Sequence, residues 1–147
     1  MLVLVAFMGC LTAKSDSASP QACTDMGCTD GVDLRFSLTE RGPYVIVAEG
    51  LPSGETTTCT GTLPFDGTEA CTGPGFATIS GTKLPDDQQS VEGLYLPDTD
   101  LAQVRVTITS NDVPRVDQTW DLSYRELQPN GPGCEPTCDY ASIEVPL

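Results

Sequence analysis

The sequence predicts an all-β fold, an antiparallel β-sandwich of about seven or eight strands stapled by disulfides. Three observations carry that expectation. Apolar and polar residues alternate with period two in segment after segment from Gly31 onward, and no stretch shows helical periodicity. Gly (14) and Pro (12) are frequent and threonine is common, which suits short strands joined by tight turns. Seven cysteines stand in 147 residues, a length that suits one domain with an end segment and is enough to bury a core.

The strands are justified in chain order. In VDLRFSL, residues 32–38, Val32, Leu34, Phe36 and Leu38 share one face, and Asp33, Arg35 and Ser37 the other. YVIVAEG, 44–50, follows Gly42-Pro43 and is apolar on both faces, as a central strand would be. TTTCTGTL, 56–63, follows the turn signal Pro52-Ser53-Gly54 and is rich in β-branched threonine. FATISGT, 76–82, follows Gly73-Pro74-Gly75, and SVEGLYL, 90–96, has a weaker alternation. In QVRVTIT, 103–109, Val104, Val106 and Ile108 point inward; Asn111-Asp112 marks a turn, and RVDQTWDLSY, 115–124, continues. Trp120 reads as a core residue near a strand end, DLSYREL makes one helical turn at most, and YASIEVPL, 140–147, closes the chain. About eight short strands at these spacings, without a fixed repeat, point to an immunoglobulin-like sandwich.

The cysteines are Cys10, Cys23, Cys28, Cys59, Cys71, Cys134 and Cys138. Cys59 and Cys71 flank a short loop and are each followed by Thr-Gly, so they pair with each other. Four remain near the chain ends of the domain. In sandwiches of this type the first and last strands often lie parallel and adjacent. Cys28 and Cys138 precede those strands by similar gaps, which favours Cys28–Cys138 with Cys23–Cys134. The local pairing, Cys23–Cys28 with Cys134–Cys138, also closes. Four thiolates at Cys-x4-Cys and Cys-x3-Cys are a zinc alternative, but ribbons usually show Cys-x2-Cys and need a reducing compartment.

Residues 1–9 are apolar and uncharged, too short to span a membrane, and read as the apolar part of an export signal. The usual positive stretch before such a run is missing. Phe7-Met8-Gly9-Cys10 resembles a bacterial lipobox, in which the cysteine is lipidated and becomes the new N-terminus. Gly9 and Cys10 match that pattern; Phe7 and Met8 depart from it. Lipid on Cys10 would also account for the odd cysteine, leaving six for three disulfides. LTAKSDSASPQA, 11–22, is small and polar and reads as a flexible tether. The resemblance implies an outer-membrane destination, since Leu11 is not the aspartate that tends to mark inner-membrane retention. The expected layout is a signal segment at 1–9, lipidated cysteine and tether at 10–22, and the sandwich at 23–147.

Three blocks carry a second resemblance: ACTDMGCTDG at 22–31, the strand around Cys59, and LQPNGPGCEPTCDYASIEV at 127–145. Together they resemble the small cysteine-rich lipoproteins that myxobacteria encode in many copies. That resemblance implies an exported single domain and brings no catalytic residues with it.

Composition narrows the functions. Seven Lys+Arg against 21 Asp+Glu give a formal charge of −14, which repels nucleic-acid backbones and anionic lipid surfaces. With no histidine, Ser-His-Asp, Cys-His and histidine metal sites are absent. No phosphate-cradling glycine loop leads into a helix. No motif selects a glycosidase pair from the 21 acids. PNGPGCEPTC, 129–138, reads as a structural clasp. The expectation is a non-catalytic lipoprotein without cofactor, anchored to the outer membrane and meeting a surface protein or glycan. The alternative is a calcium- or carbohydrate-binding module, with Asp86, Asp87, Asp98 and Asp100 as calcium candidates on loops that could face each other.

Overall fold

A computed structural model describes residues 23–147. Ten strands follow one another: β1 (Gly31–Leu38), β2 (Gly42–Leu51), β3 (Thr56–Leu63), β4 (Ala70–Thr72), β5 (Phe76–Ser80), β6 (Ser90–Leu96), β7 (Gln103–Ser110), β8 (Val113–Asp121), β9 (Arg125–Leu127) and β10 (Cys138–Glu144). One 3-10 turn, Asp86–Gln88, precedes β6. The strands form two five-stranded sheets, ordered β5-β6-β1-β10-β9 and β4-β3-β2-β7-β8. The fold is thus the expected disulfide-stapled β-sandwich, with more strands than expected. β4 and β9 are the additions, and both are only three residues long. Alternation cannot register in three residues, so neither shows in the sequence. Arg125–Leu127 falls where a single helical turn was the most that DLSYREL allowed; it is extended and pairs with β10. The last strand starts at Cys138 and stops at Glu144, before Pro146, rather than filling 140–147.

The core forms because the inward faces of both sheets are almost wholly aliphatic. Val32, Leu34, Ile46, Leu94, Val104, Val106 and Ile108 have no exposed surface. Trp120 lies on the edge strand β8, packs against this core and is only partly buried. Between β7 and β8, Asn111 and Asp112 both adopt positive φ, 52° and 61°, as a two-residue hairpin of the primed type requires. The Asn111 amide group donates to the Arg41 carbonyl at 2.7 Å. A Cβ at Gly42, φ +114°, would collide with the Asn111 side chain, so glycine is needed there twice over.

β1 and β10 are parallel, with Gly31 opposite Tyr140 and Arg35 opposite Glu144; every other pair is antiparallel. Parallel neighbours bring the segments before both strands to one end of the sandwich. There Cys23 bonds Cys134 and Cys28 bonds Cys138, with Cα atoms 5.7 and 6.0 Å apart. Asn130, nearly buried, is the hub of this clasp. Its Oδ1 accepts from the Thr24 hydroxyl (2.6 Å) and the Met26 amide (2.8 Å). Its Nδ2 donates to the carbonyls of Met26 (2.9 Å) and Glu135 (2.6 Å). All four hydrogen-bonding valences of the side chain are filled, which fixes the N-terminal segment against the 129–138 loop.

Tyr44, on β2, is buried against this interior at 3% exposure, and burial pushes its phenol up to about 12. The unfolded chain releases that proton near the ordinary value of 10, whereas the fold keeps it to about 12. Stability therefore falls as pH rises from 10 to 12, because the unfolded state binds fewer protons there. Thermal melts across that window should show the decline, and Tyr44→Phe should make it shallower; an unchanged slope would remove Tyr44 as its source. Asn130→Ala should lower the urea midpoint by the equivalent of about 1–3 kcal/mol, the cost of stranding buried partners. A midpoint equal to the parent's would show that the disulfides alone hold the clasp.

Candidate functional site

The residues singled out in the sequence separate into two groups. The six cysteines from Cys23 onward are all in disulfides, the third being Cys59–Cys71 with Cα atoms 4.1 Å apart on directly opposed positions of β3 and β4. The four end cysteines are therefore not zinc thiolates. Cys10, the signal segment and the tether lie outside the described residues.

The calcium candidates do not meet. Asp86 and Asp87 sit on the 3-10 turn before β6, while Asp98 and Asp100 follow its other end. Seven strand residues separate the two pairs, about 20 Å at the usual rise. Asp98 Oδ1 instead accepts from the Asp100 amide at 2.8 Å, an ordinary turn contact. Among the described residues, no three acidic or cysteine side chains converge as metal ligands.

What the fold does assemble lies on the outer face of the β5-β6-β1-β10-β9 sheet. Outward positions are the ones between the buried aliphatics: Asp33, Arg35 and Ser37 on β1, Tyr95 on β6, Tyr140 and Glu144 on β10. Phe76 on β5 stands opposite Tyr95, their ring centroids 5.2 Å apart and their planes tilted by 36°. Tyr95 then leans onto β1. A Cβ on Gly31 would collide with its Oη and Cζ, and the Tyr95 hydroxyl donates to the Asp30 carbonyl. Burial, reinforced by the Asp30 and Asp33 charges and by Tyr140, raises the Tyr95 phenol above its ordinary value. On the far side of Gly31 comes Tyr140, and opposite Tyr140 on β9 comes Arg125, whose guanidinium carbon lies 5.6 Å from the Tyr140 ring centroid. A strip of three rings and one guanidinium thus crosses all five strands. At four strand spacings it is about 19 Å long.

A polar network locks the strip in place. Arg35 donates to Asp33 (2.7 Å) and to the Tyr140 hydroxyl (3.0 Å), and the Tyr140 hydroxyl donates to Asp33 Oδ2 (2.9 Å). Glu144 adds a longer contact to Arg35 at 3.6 Å. These partners keep the Arg35 guanidinium more firmly protonated than usual, the Asp33 hydrogen bond contributing most. Beside the strip, further along the strands, lies a trough of about 580 Å³ lined by Asp33, Arg35, Ser37, Thr78, Glu92 and Glu144. Glu92 accepts from the hydroxyls of Ser37 (3.3 Å) and Ser90. The face is therefore aromatic along one line and rich in acceptors and donors along the next.

A second hollow, of about 270 Å³, opens where the edge strands β4 and β5 leave the two sheets apart. The Cys59–Cys71 bridge, Tyr44, Ala77 and Ile79 line it with Glu69, and Phe76 borders it as well as the strip. It is apolar and carries few groups able to orient a ligand. None of the strip residues stands out in the sequence, because Phe76, Tyr95, Tyr140 and Arg125 come from four different strands. Only an aromatic at an outward position of an alternating strand, noticed strand by strand, points to them. Compared with protein-family models, curated proteins and solved structures, the chain matches none of them.

Proposed function

We propose that this chain is a non-catalytic lipoprotein, exported and anchored to the outer membrane through Cys10, which presents its sandwich for surface interaction or envelope structure. The three disulfides are the observation that supports it most, since bridges of this kind persist in oxidising compartments. They use every cysteine except Cys10, the residue at the end of the lipobox-like run. The clasp adds a geometric argument. It holds the chain just after the tether at one end of the sandwich, so an anchor at Cys10 leaves the opposite loops and both outer sheet faces free for contact. Within this reading the sandwich is immunoglobulin-like, and the parallel pairing of the first and last strands supports that assignment. The absence of histidine supports the non-catalytic part.

Intact mass of the membrane-extracted protein, with thiol labelling before and after reduction, tests this. The expected chain starts at Cys10, carries acyl mass, and exposes six thiols only on reduction. Cys10→Ser should abolish the acyl mass and release the protein from membranes. A chain that starts at Met1 with seven free thiols would overturn both export and anchoring.

A further inference from the structure

We propose that the aromatic strip on the outer face of the β5-β6-β1-β10-β9 sheet binds a neutral polysaccharide. This deepens the display reading by naming the partner, while the binding chemistry itself stands whether or not the chain carries lipid.

Three features point to that ligand class. The first is the strip. A sugar ring presents polarised C–H groups on its faces, and these meet the electron-rich face of an aromatic ring. Phe76, at 55% exposure, is the most open of the rings, and it adjoins Tyr95 directly. A line of rings across five strands suits an extended chain of sugars rather than a single small molecule. The second is the neighbouring row. Sugar hydroxyls both donate and accept, and the trough beside the strip offers carboxylates at Asp33, Glu92 and Glu144 and a guanidinium at Arg35. The hydrogen bonds among Asp33, Arg35 and Tyr140 hold this row in one arrangement, so little order has to be imposed on binding.

The third feature is charge. The whole chain carries −14, which disfavours phosphorylated or uronate-bearing polymers. Arg35 and Arg125 nonetheless sit within the face against Asp33, Glu92 and Glu144, so it lies close to neutral and draws a cationic peptide far less than the domain as a whole would. A polymer without charge satisfies both constraints.

The test is affinity electrophoresis of the full chain in gels holding hydroxyethyl cellulose, laminarin, mannan or dextran, with alginate as the anionic comparison. Retardation by at least one neutral polymer and none by alginate is expected. Phe76→Ala and Arg125→Ala should each weaken binding roughly five- to tenfold, as loss of one stacking contact would. Ile79→Ala, which alters the hollow that Phe76 also borders but no member of the strip, should bind like the parent. Thermal melts confirm that each variant is folded. Failure to bind any of the four neutral polymers overturns the proposal. So does equal retardation by alginate, or full binding by a folded Phe76→Ala protein. Cys10→Ser protein run alongside should bind equally, so a failed anchoring assignment stays distinct from a failed glycan site.

Discussion

The parallel pairing of β1 with β10 is the constraint on which the rest of this structure depends. It joins the two ends of the folded chain in the middle of one sheet, with β6 and β5 on one side and β9 on the other. Parallel neighbours cannot be joined by a tight turn, so the connection has to be made by everything between them. Closing so long a loop is costly in chain entropy, and a bridge across about 100 residues offsets about 4.7 kcal/mol in the loop-closure model. Cys28–Cys138, with a sequence separation of 110, is such a bridge. Once it has formed, Cys23–Cys134 closes only a small extra ring, so its entropic share is far smaller. Its effect is local: with Asn130 it fixes the direction in which the chain leaves the domain.

The same strand pair shapes the outer face. Gly31, the first residue of β1, has φ +144° and no room for a Cβ, because the Leu96 carbonyl and the Tyr95 ring occupy that space. An alanine there would push Tyr95 away from Tyr140 and break the line of rings. The glycine that starts the central strand thus also makes the aromatic strip continuous. Below it, the hydrophobic half of the sheet is indifferent to this arrangement. Val32 and Leu34 point the other way and are fully buried. A strand with period two can therefore carry a core and a surface platform independently.

Much of this was legible in the sequence, and the limits have physical causes. Strands of five residues or more showed through alternation, β-branched content or the turns before them, and the core positions Val32, Leu34, Val104, Val106 and Ile108 were read directly from alternation. The expected parallel arrangement of first and last strands favoured the cross-linked disulfide pairing but left the local one open, and the observed bridges decide between them. β4 and β9 were invisible because three residues carry no period. The aspartate pairs around β6 misled for a related reason. Two acidic loops on either side of one strand look close in sequence, but an extended strand keeps them at opposite ends. The strip was illegible because its members are assembled by strand order, and the β5-β6-β1-β10-β9 sequence of neighbours is a property of topology.

Charge completes the link between fold and surface. Of the six cations in residues 23–147, Arg35, Arg105 and Arg115 each hold a carboxylate, at Asp33, Asp117 and Glu40. The hydrogen bonds from Arg105 keep the Asp117 carboxyl below its usual range. These pairs are solvent-exposed, so they add little to stability. Their consequence is placement. With so few positive groups, a face that holds two arginines comes closer to neutral than the molecule as a whole, even beside Asp33, Glu92 and Glu144. Arg35 and Arg125 do this on the sheet that carries the rings. Elsewhere the surface stays acidic and resists association with itself and with anionic polymers. The acidic bulk of the domain thus disfavours anionic partners, while the face that carries the rings holds two of its six cations.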